Sequence, residues 1–358
     1  MRNYQLVLGH SVLPVVLFLA IGVSRLAAAD RTYSTAHVVV DLGGERQVVS
    51  AVQGGSAVGV VAVAPGSEGK VDKRLTGVKY DDISMSLPLA NVPTAIREVL
   101  AGKRANISGG VEYADHAYKG ERRMSFQNAV VSSIRFPALD AGSKDSPVLQ
   151  LVLAPENTRE ESMTSDLKGV LSSKAKRASS SNFKVTIPDV ITNRVSAVSA
   201  IEVRAKGKGS PGGQERAAAR ETSSYDISNI TLSVSAVDLK SWQEWHEKSI
   251  SEGGSKQEKT MRLELLEPNM KEALLTLDFS GVGIIAVRHQ KVEPGSEKVP
   301  RFDVELYAEQ LVISPGSGGS GKSASAAETS PPAEAPKAAA APAESAPAPV
   351  EKPVRRAR

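Results

Sequence analysis

An internal repeat is the feature that most constrains the fold of this 358-residue chain. Near the end of each half, residues recur at an offset of 153, so that Phe126 matches Phe279 and Pro147 matches Pro300. The turn at Gly142–Ser143 recurs as well, and the apolar positions between these landmarks are kept. Because a strand, a turn and a proline that precedes the next strand recur in the same order, the sequence predicts a tandem duplication of one β unit.

Earlier in each unit, an offset of 145 places Tyr80-Asp81 on Tyr225-Asp226, and each pair precedes a strand and then a helix. These matches predict two β domains, at 36–158 and 182–314. The segment between them, 159–181, is polar and rich in Ser and Lys, which is typical of a linker.

Short segments rich in β-branched residues alternate with clusters of Gly, Pro, Asp and Ser, a pattern typical of strands and turns. Each unit also contains one predicted helix, at about 92–101 and 239–250, with Asn91 and Asp238 as the expected N-caps. The fold class predicted is therefore mainly β: two tandem antiparallel β-barrel or sandwich domains, each with one helix. The side chains expected in the core are Phe126, Val131, Ile134, Phe279, Ile284, Val287, Trp242 and Trp245.

The two ends of the chain differ from the body. Residues 1–29 combine a basic start, a short apolar run and small residues before Asp30, so they predict a signal peptide cleaved between Ala29 and Asp30, with an uncleaved anchor as the alternative. The apolar run is too short to span a bilayer, which needs about 20 residues. The other end, 315–358, is rich in Pro and Ala and lacks aromatic residues, so we expect a disordered tail.

Composition excludes several classes of protein. The chain has no cysteine, which excludes disulfides, thiol catalysis and cysteine-ligated metal sites. The formal net charge is +4, yet residues 30–314 carry equal numbers of basic and acidic side chains. Because nucleic acids are bound by a concentrated positive field, we expect no nucleic-acid partner.

The residues offer no recognisable catalytic or cofactor motif. The histidines that follow the signal segment are too far apart in the sequence to suggest a metal site, and Asp115-His116 lies in a predicted hairpin turn, where Asp is favoured for backbone reasons. The sequence also lacks a nucleophile elbow and a phosphate-binding loop. We therefore expect no catalytic residue, no cofactor, no metal and no enzymatic activity.

Three segments resemble the tail-tube proteins of contractile phages and of type VI secretion. Lys73–Met85 is similar to the family's loop-into-strand signature, and Phe126–Val131 followed by Leu139–Ser143 resembles its second signature. The helix segment Trp242–Trp245 is similar to the Trp-bearing helix between them. This chain departs from the family in carrying a predicted signal peptide and in having Ser280-Gly281 in the second unit.

The resemblance implies small β-barrels, six of which close a ring, so that three two-unit chains would form a trimeric pseudo-hexamer. It also implies that the loops 65–78 and 205–223 project toward a neighbouring ring, although they are equally consistent with plain flexible loops. The residues of these candidate assembly loops are Lys73, Arg74, Leu75, Gly77, Lys206, Lys208 and Gly209.

The leading hypothesis is an exported, periplasmic or extracellular structural protein that self-assembles as a homo-oligomer, a trimer or a ring. In this hypothesis the C-terminal tail meets an envelope or surface partner, and no membrane-spanning segment remains after cleavage. The alternative is a monomeric periplasmic or cell-surface binding module on the same fold.

Overall fold

The structure is a computed structural model that describes residues 36–65, 71–171, 178–206, 224–291 and 299–316. The predicted signal peptide with Ala29 and Asp30, nearly all of the predicted tail, and the loop residues Lys208 and Gly209 lie outside these ranges. None of the helices that it describes is long and apolar enough to cross a membrane.

The elements alternate short strands with a few short helices. In the first half they are β1 (His37–Leu42), β2 (Glu45–Val48), β3 (Ala51–Gln53), β4 (Ala57–Pro65), β5 (Val71–Tyr80), β6 (Ile83–Pro88), α1 (Thr94–Leu100), β7 (Ile107–Ala114), β8 (Lys119–Phe136), β9 (Leu139–Asp140), β10 (Val148–Ala154), β11 (Asn157–Asp166) and α2 (Lys168–Leu171). In the second half they are β12 (Phe183–Thr186), β13 (Val195–Val198), β14 (Ile201–Lys206), β15 (Ser224–Ile227), β16 (Ile230–Ser235), α3 (Leu239–Glu252), β17 (Lys259–Leu266), β18 (Ala273–His289), β19 (Arg301–Tyr307) and β20 (Gln310–Pro315).

The two halves repeat the same strand connectivity. In the first half β1 pairs with β7, β7 with β8, β8 with β10 and β11, β10 with β6, and β6 with β3. The second half repeats this pattern: β12 pairs with β17, β17 with β18, β18 with β19 and β20, β19 with β16, and β16 with β13. The fold class is therefore confirmed as mainly β, with two large antiparallel sheets, one of them nearly closed into a barrel.

The strand register confirms the offset of 153. Phe126 lies opposite Thr158, and Phe279 lies opposite Leu311, so each partner is also 153 residues further along. The left-handed residue in the long strand recurs too, as Asn128 with a φ of 47° and Gly281 with a φ of 61°. The repeat thus preserves pairing partners and local backbone conformation.

The offset of 145 is wrong at β5. The carbonyl of Ser56 accepts a hydrogen bond from the amide of Asp81 at 3.0 Å, and the carbonyl of Glu202 accepts one from Ser228 at 2.8 Å. This correspondence places Tyr80 on Ile227 and not on Tyr225. A slip of two residues keeps every side chain on the same face of a strand, so the apolar pattern could not distinguish the two alignments.

The sheets continue across the boundary between the halves. Strand β14 pairs with the end of β8, with Val203 opposite Ile134, and β13 pairs with β9, with Val198 opposite Leu139. All four of these side chains are buried in one hydrophobic core. The halves are therefore joined by backbone pairing as well as by side-chain packing.

The expected core is buried with one exception. Phe126 and Phe279 are each 1% exposed, and the two tryptophans, Val131, Ile134 and Ile284 are also buried. Val287 is only half-buried. Its equivalent in the first half, Ile134, is covered by β14, whereas no described strand lies on that side of Val287.

The helices follow the predicted positions, with different N-terminal contacts. Helix α1 begins after Pro93, so Asn91 is not its N-cap. Asp238 does precede α3, but its carboxylate accepts a hydrogen bond from Arg194 at 2.7 Å and makes no cap bond to the helix. A charged partner thus replaces the backbone amides that the sequence pattern favours.

Part of the predicted linker forms regular structure. Residues 159–166 continue β11 along β8, and the four-residue helix α2 follows them. Leu167, between these elements, is buried against Val39 and Ala114. The start of the linker is therefore held on the first half, while the division into two domains stays a prediction.

Candidate assembly surfaces

The contact between the two halves shows what kind of surface each half presents to a neighbour. Along β8, Ile201 lies opposite Phe136, Glu202 opposite Arg135, and Val203 opposite Ile134. The apolar members of this register are buried, and Ile134 is 0% exposed. The first half thus offers the edge of a long strand, and the second half offers a hairpin that pairs with that edge.

The matching edge of the second half has no described strand on it. By the offset of 153, Ile134 and Phe136 correspond to Val287 and His289 in β18. This part of β18 pairs with β19 on one side, and no described strand pairs with its other side. Accordingly Val287 is half-buried and His289 is exposed, whereas both of their counterparts are buried.

The matching hairpin of the first half stands by itself. Strands β4 and β5 form a separate two-stranded sheet with no other strand partner among the described residues. One face of this hairpin is exposed and, apart from Lys73, mainly apolar, and Leu75 on it is 75% exposed. The exposed apolar side chains of this face are Val61, Val63, Val71, Leu75 and Val78.

The hairpin corrects the prediction of a loop at 65–78. Residues from Val71 onward belong to β5, where Leu75 lies opposite Val61, Lys73 opposite Val63, and Gly77 opposite Val60. Arg74 lies on the other face and forms an ion pair with Asp72 at 2.7 Å. Lys73 lies on the same face as the apolar residues, and the pairing shifts in register between Val60 and Val61, so the sequence of this strand does not show a regular period of two.

The second candidate loop is described only at its two ends. Lys206 is the last residue of β14, lies opposite Ser224, and forms an ion pair with Asp226 at 3.0 Å. Because both of these charges are largely exposed, the pair adds at most about 1 kcal/mol to stability. The structure therefore brings Lys73, Arg74, Leu75 and Gly77 together on one hairpin and places Lys206 on the equivalent hairpin of the second half.

A buried charge cluster was not foreseen from the sequence. Glu112 in β7 is fully buried, and its Oε1 accepts a hydrogen bond from Arg123 and forms an ion pair with Arg46 at 3.1 Å. Arg123 also pairs with Asp41 at 3.0 Å. These residues come from β1, β2, β7 and β8, so the cluster connects four strands. The register in which these strands pair brings the four side chains together.

Other polar features of the described ranges include the predicted turn at Asp115 and two tyrosines with raised pKa values. Asp115 accepts hydrogen bonds from the amides of Ala117 and Lys119, at 2.8 and 2.9 Å, which is the backbone role predicted for this turn. Burial raises the pKa of Tyr225 to about 12. Burial, together with a hydrogen bond to Glu258, raises the pKa of Tyr307 to about 12. Within the described ranges, no group of three His, Asp or Glu side chains could hold a metal ion.

Comparison with known proteins gives matches among solved structures alone. No protein-family model matches the sequence, and no curated protein matches it. A structure described as the tube-terminating cap of the anti-feeding prophage is 18% identical, with a TM-score of 0.32, over 37% of this chain and 90% of the other. The sheath-tube complex of an extracellular contractile injection system, PVC, is 14% identical, with a TM-score of 0.34, over 38% of this chain and 95% of the other. The PVC sheath/tube terminator is 15% identical, with a TM-score of 0.32, over 35% of this chain and 94% of the other.

The chain is thus similar, over about a third of its length, to tube-terminating and sheath-tube components of contractile injection systems.

Proposed function

We propose that this protein is an exported, non-enzymatic structural protein that assembles with copies of itself into a ring. The signal segment 1–29 directs export to the periplasm or beyond, with cleavage after Ala29. Three chains, each supplying two equivalent β units, close a trimeric pseudo-hexamer. The tail from 317 onward tethers this ring to an envelope or surface partner.

One observation supports this proposal most strongly. The two halves repeat one connectivity and one register, and they are joined through different surfaces, a strand edge on the first and a hairpin on the second. A contact between different surfaces can be repeated from copy to copy, and it gives a closed ring when the rotation closes. An open edge and an exposed apolar hairpin are also costly to leave uncovered.

The proposal is tested by the mass and shape of the full chain after export. Native mass spectrometry should show a trimer, and negative-stain images should show closed rings with six similar lobes. A protein that stays monomeric at tens of micromolar would favour the monomeric binding module and would rule out the ring for the isolated protein.

A further inference from the structure

We propose that the apolar hairpin β4–β5 of one copy pairs with the open edge of β18 in a second copy, with Ala57 opposite Val287. This inference rests on the proposed function and names the two surfaces that meet. Each copy gives one hairpin and receives one, so the contact is head-to-tail.

The donor strand is identified through its equivalent in the second half. The hydrogen bond from Asp81 to Ser56 corresponds to the one from Ser228 to Glu202, and the cross-strand pair Ala57–Tyr80 corresponds to Val203–Ile227. Strand β4 is therefore the counterpart of β14. Since β14 pairs with β8 inside the chain, β4 carries the same pairing capacity with no described strand to use it on.

The acceptor strand is identified in the same way. In the pairing within the chain, Glu202 lies opposite Arg135 and Val203 opposite Ile134. Adding 153 to the β8 positions gives Arg288 and Val287. The register between copies therefore places Ser56 opposite Arg288 and Ala57 opposite Val287.

Among the described residues, no strand takes up the backbone groups of β18 that this register would use. The amide of Gln290 donates to the carbonyl of Arg301 in the direction of β19. Because successive residues of a strand point their amides and carbonyls to opposite sides, those of His289 and Val287 point away from β19. The carbonyl of Ile285 lies 3.2 Å from Nε2 of His246 in α3, which sets the inner limit of the open segment.

The side chains on both surfaces favour a second copy as the occupant. On β14 and β15 the face equivalent to the apolar hairpin face holds Val203, Tyr225 and Ile227, all packed in the core. On the hairpin β4–β5 the same face carries Tyr80, which is half-buried, but farther along it consists mainly of exposed valines and Leu75, with Lys73 among them. The surface beside β8 covers this face of β14 and β15, and the equivalent surface lies beside β18. A second copy carries that surface, so it can cover the apolar face of the hairpin β4–β5.

Engineered cysteine pairs test the register, because the chain has no cysteine of its own. Opposite residues of antiparallel strands have Cα atoms about 4.5–5.5 Å apart, within the range of about 4.4–6.8 Å that a disulfide allows. The full mature chain carrying Ser56→Cys and Arg288→Cys should form disulfides between copies on mild oxidation. Loss of the monomer band on a non-reducing gel is the expected result. Both positions are exposed, so the substitutions should not disturb the core.

Two matched pairs serve as controls. Glu202→Cys with Arg135→Cys occupies the same register inside the chain, so it should close within one copy and leave a monomer on the gel. Ser56→Cys with His289→Cys places the two thiols on opposite faces of the extended sheet, so most of the protein should stay monomeric on the gel.

The outcomes separate this inference from the proposed function. Rings or trimers by native mass, without a Ser56–Arg288 cross-link, would overturn the pairing and leave the ring in place. A monomer by native mass would overturn both. Covalent dimers from Ser56→Cys alone would show a hairpin-to-hairpin contact and would also overturn the head-to-tail pairing.

Discussion

Ile134 and Val287 occupy equivalent positions in the two halves, yet Ile134 is fully buried and Val287 is half-exposed. The difference arises because β14 lies beside Ile134 and no described strand lies beside Val287. The two long strands are otherwise matched, including the register shift in their pairing with β10 and β19. The second copy of the repeat therefore ends on a strand edge that no other described strand of the chain covers.

Phe279 tests the core of the second half. This side chain is 1% exposed in β18, and truncating a buried Phe to Ala costs about 3–5 kcal/mol. We expect Phe279→Ala to lower the free energy of unfolding by that amount, measured by chemical denaturation. Val312→Ala, on the adjacent strand and exposed, should change it by less than about 0.5 kcal/mol. A loss below about 1 kcal/mol for Phe279→Ala would contradict its place in the core.

Local pattern and repetition were enough to predict much of the fold. The mainly β class and both principal helices follow from residues close in sequence, and the match of Phe126 with Phe279 follows from the repetition of one pattern. The pairing of β14 with β8 could not be predicted in this way, because it joins residues more than 60 apart and no sequence periodicity encodes which strands become neighbours. The cluster around Glu112 was missed for the same reason, since its members come from four strands.

Arg123 tests the buried charge cluster. Removing it leaves the carboxylate of Glu112 buried, with Arg46 as its remaining described partner. Breaking a buried ion pair typically costs about 3–5 kcal/mol, so Arg123→Ala should destabilise strongly in urea unfolding. Its neighbour Arg122 pairs with Glu160 at 3.6 Å on the surface, and Arg122→Ala should cost less than about 1 kcal/mol.

A second variant distinguishes charge from packing at this cluster. Replacing Arg123 by Met and Glu112 by Leu together removes the unpaired charge, so this double variant should recover most of the stability lost in Arg123→Ala. If the double variant is as unstable as Arg123→Ala, the cluster contributes through side-chain volume and the electrostatic explanation is wrong.

Tyr225 and Tyr307 predict opposite effects of one substitution. The hydroxyl of Tyr225 is buried with no hydrogen-bond partner among the described residues, so Tyr225→Phe should be neutral or raise the free energy of unfolding by about 1 kcal/mol. The hydroxyl of Tyr307 donates to Glu258 at 2.8 Å, so Tyr307→Phe should lower it by about 0.5–1.5 kcal/mol. A marked loss in Tyr225→Phe would show that its hydroxyl does have a partner.

The same two residues set a dependence on alkaline pH. Their pKa values in the folded protein are raised from 10 to about 12. Between pH 10 and about pH 12 the two tyrosines lose their phenolic protons in the unfolded chain and keep them in the folded chain. The stability contributed by these groups is therefore full below pH 10 and falls as the pH rises toward 12. Thermal melting at pH 9 and pH 11 should show this fall in the wild type, and it should be smaller in the variant that carries both Tyr→Phe changes.

Leu75 separates assembly from folding. It is the most exposed of the large apolar side chains on the hairpin β4–β5 and makes no contribution to the buried core. Leu75→Ser should therefore leave the free energy of unfolding within about 0.5 kcal/mol of the wild type.

The same change should weaken association, because a polar residue replaces an apolar side chain that assembly would bury. Analytical ultracentrifugation over a concentration series should show the trimer dissociating at higher concentration than in the wild type. Met270→Ser is the matched control, since Met270 is about half exposed in the turn between β17 and β18 and belongs to neither proposed surface. Equal weakening by the two substitutions would show that the hairpin face is not the contact.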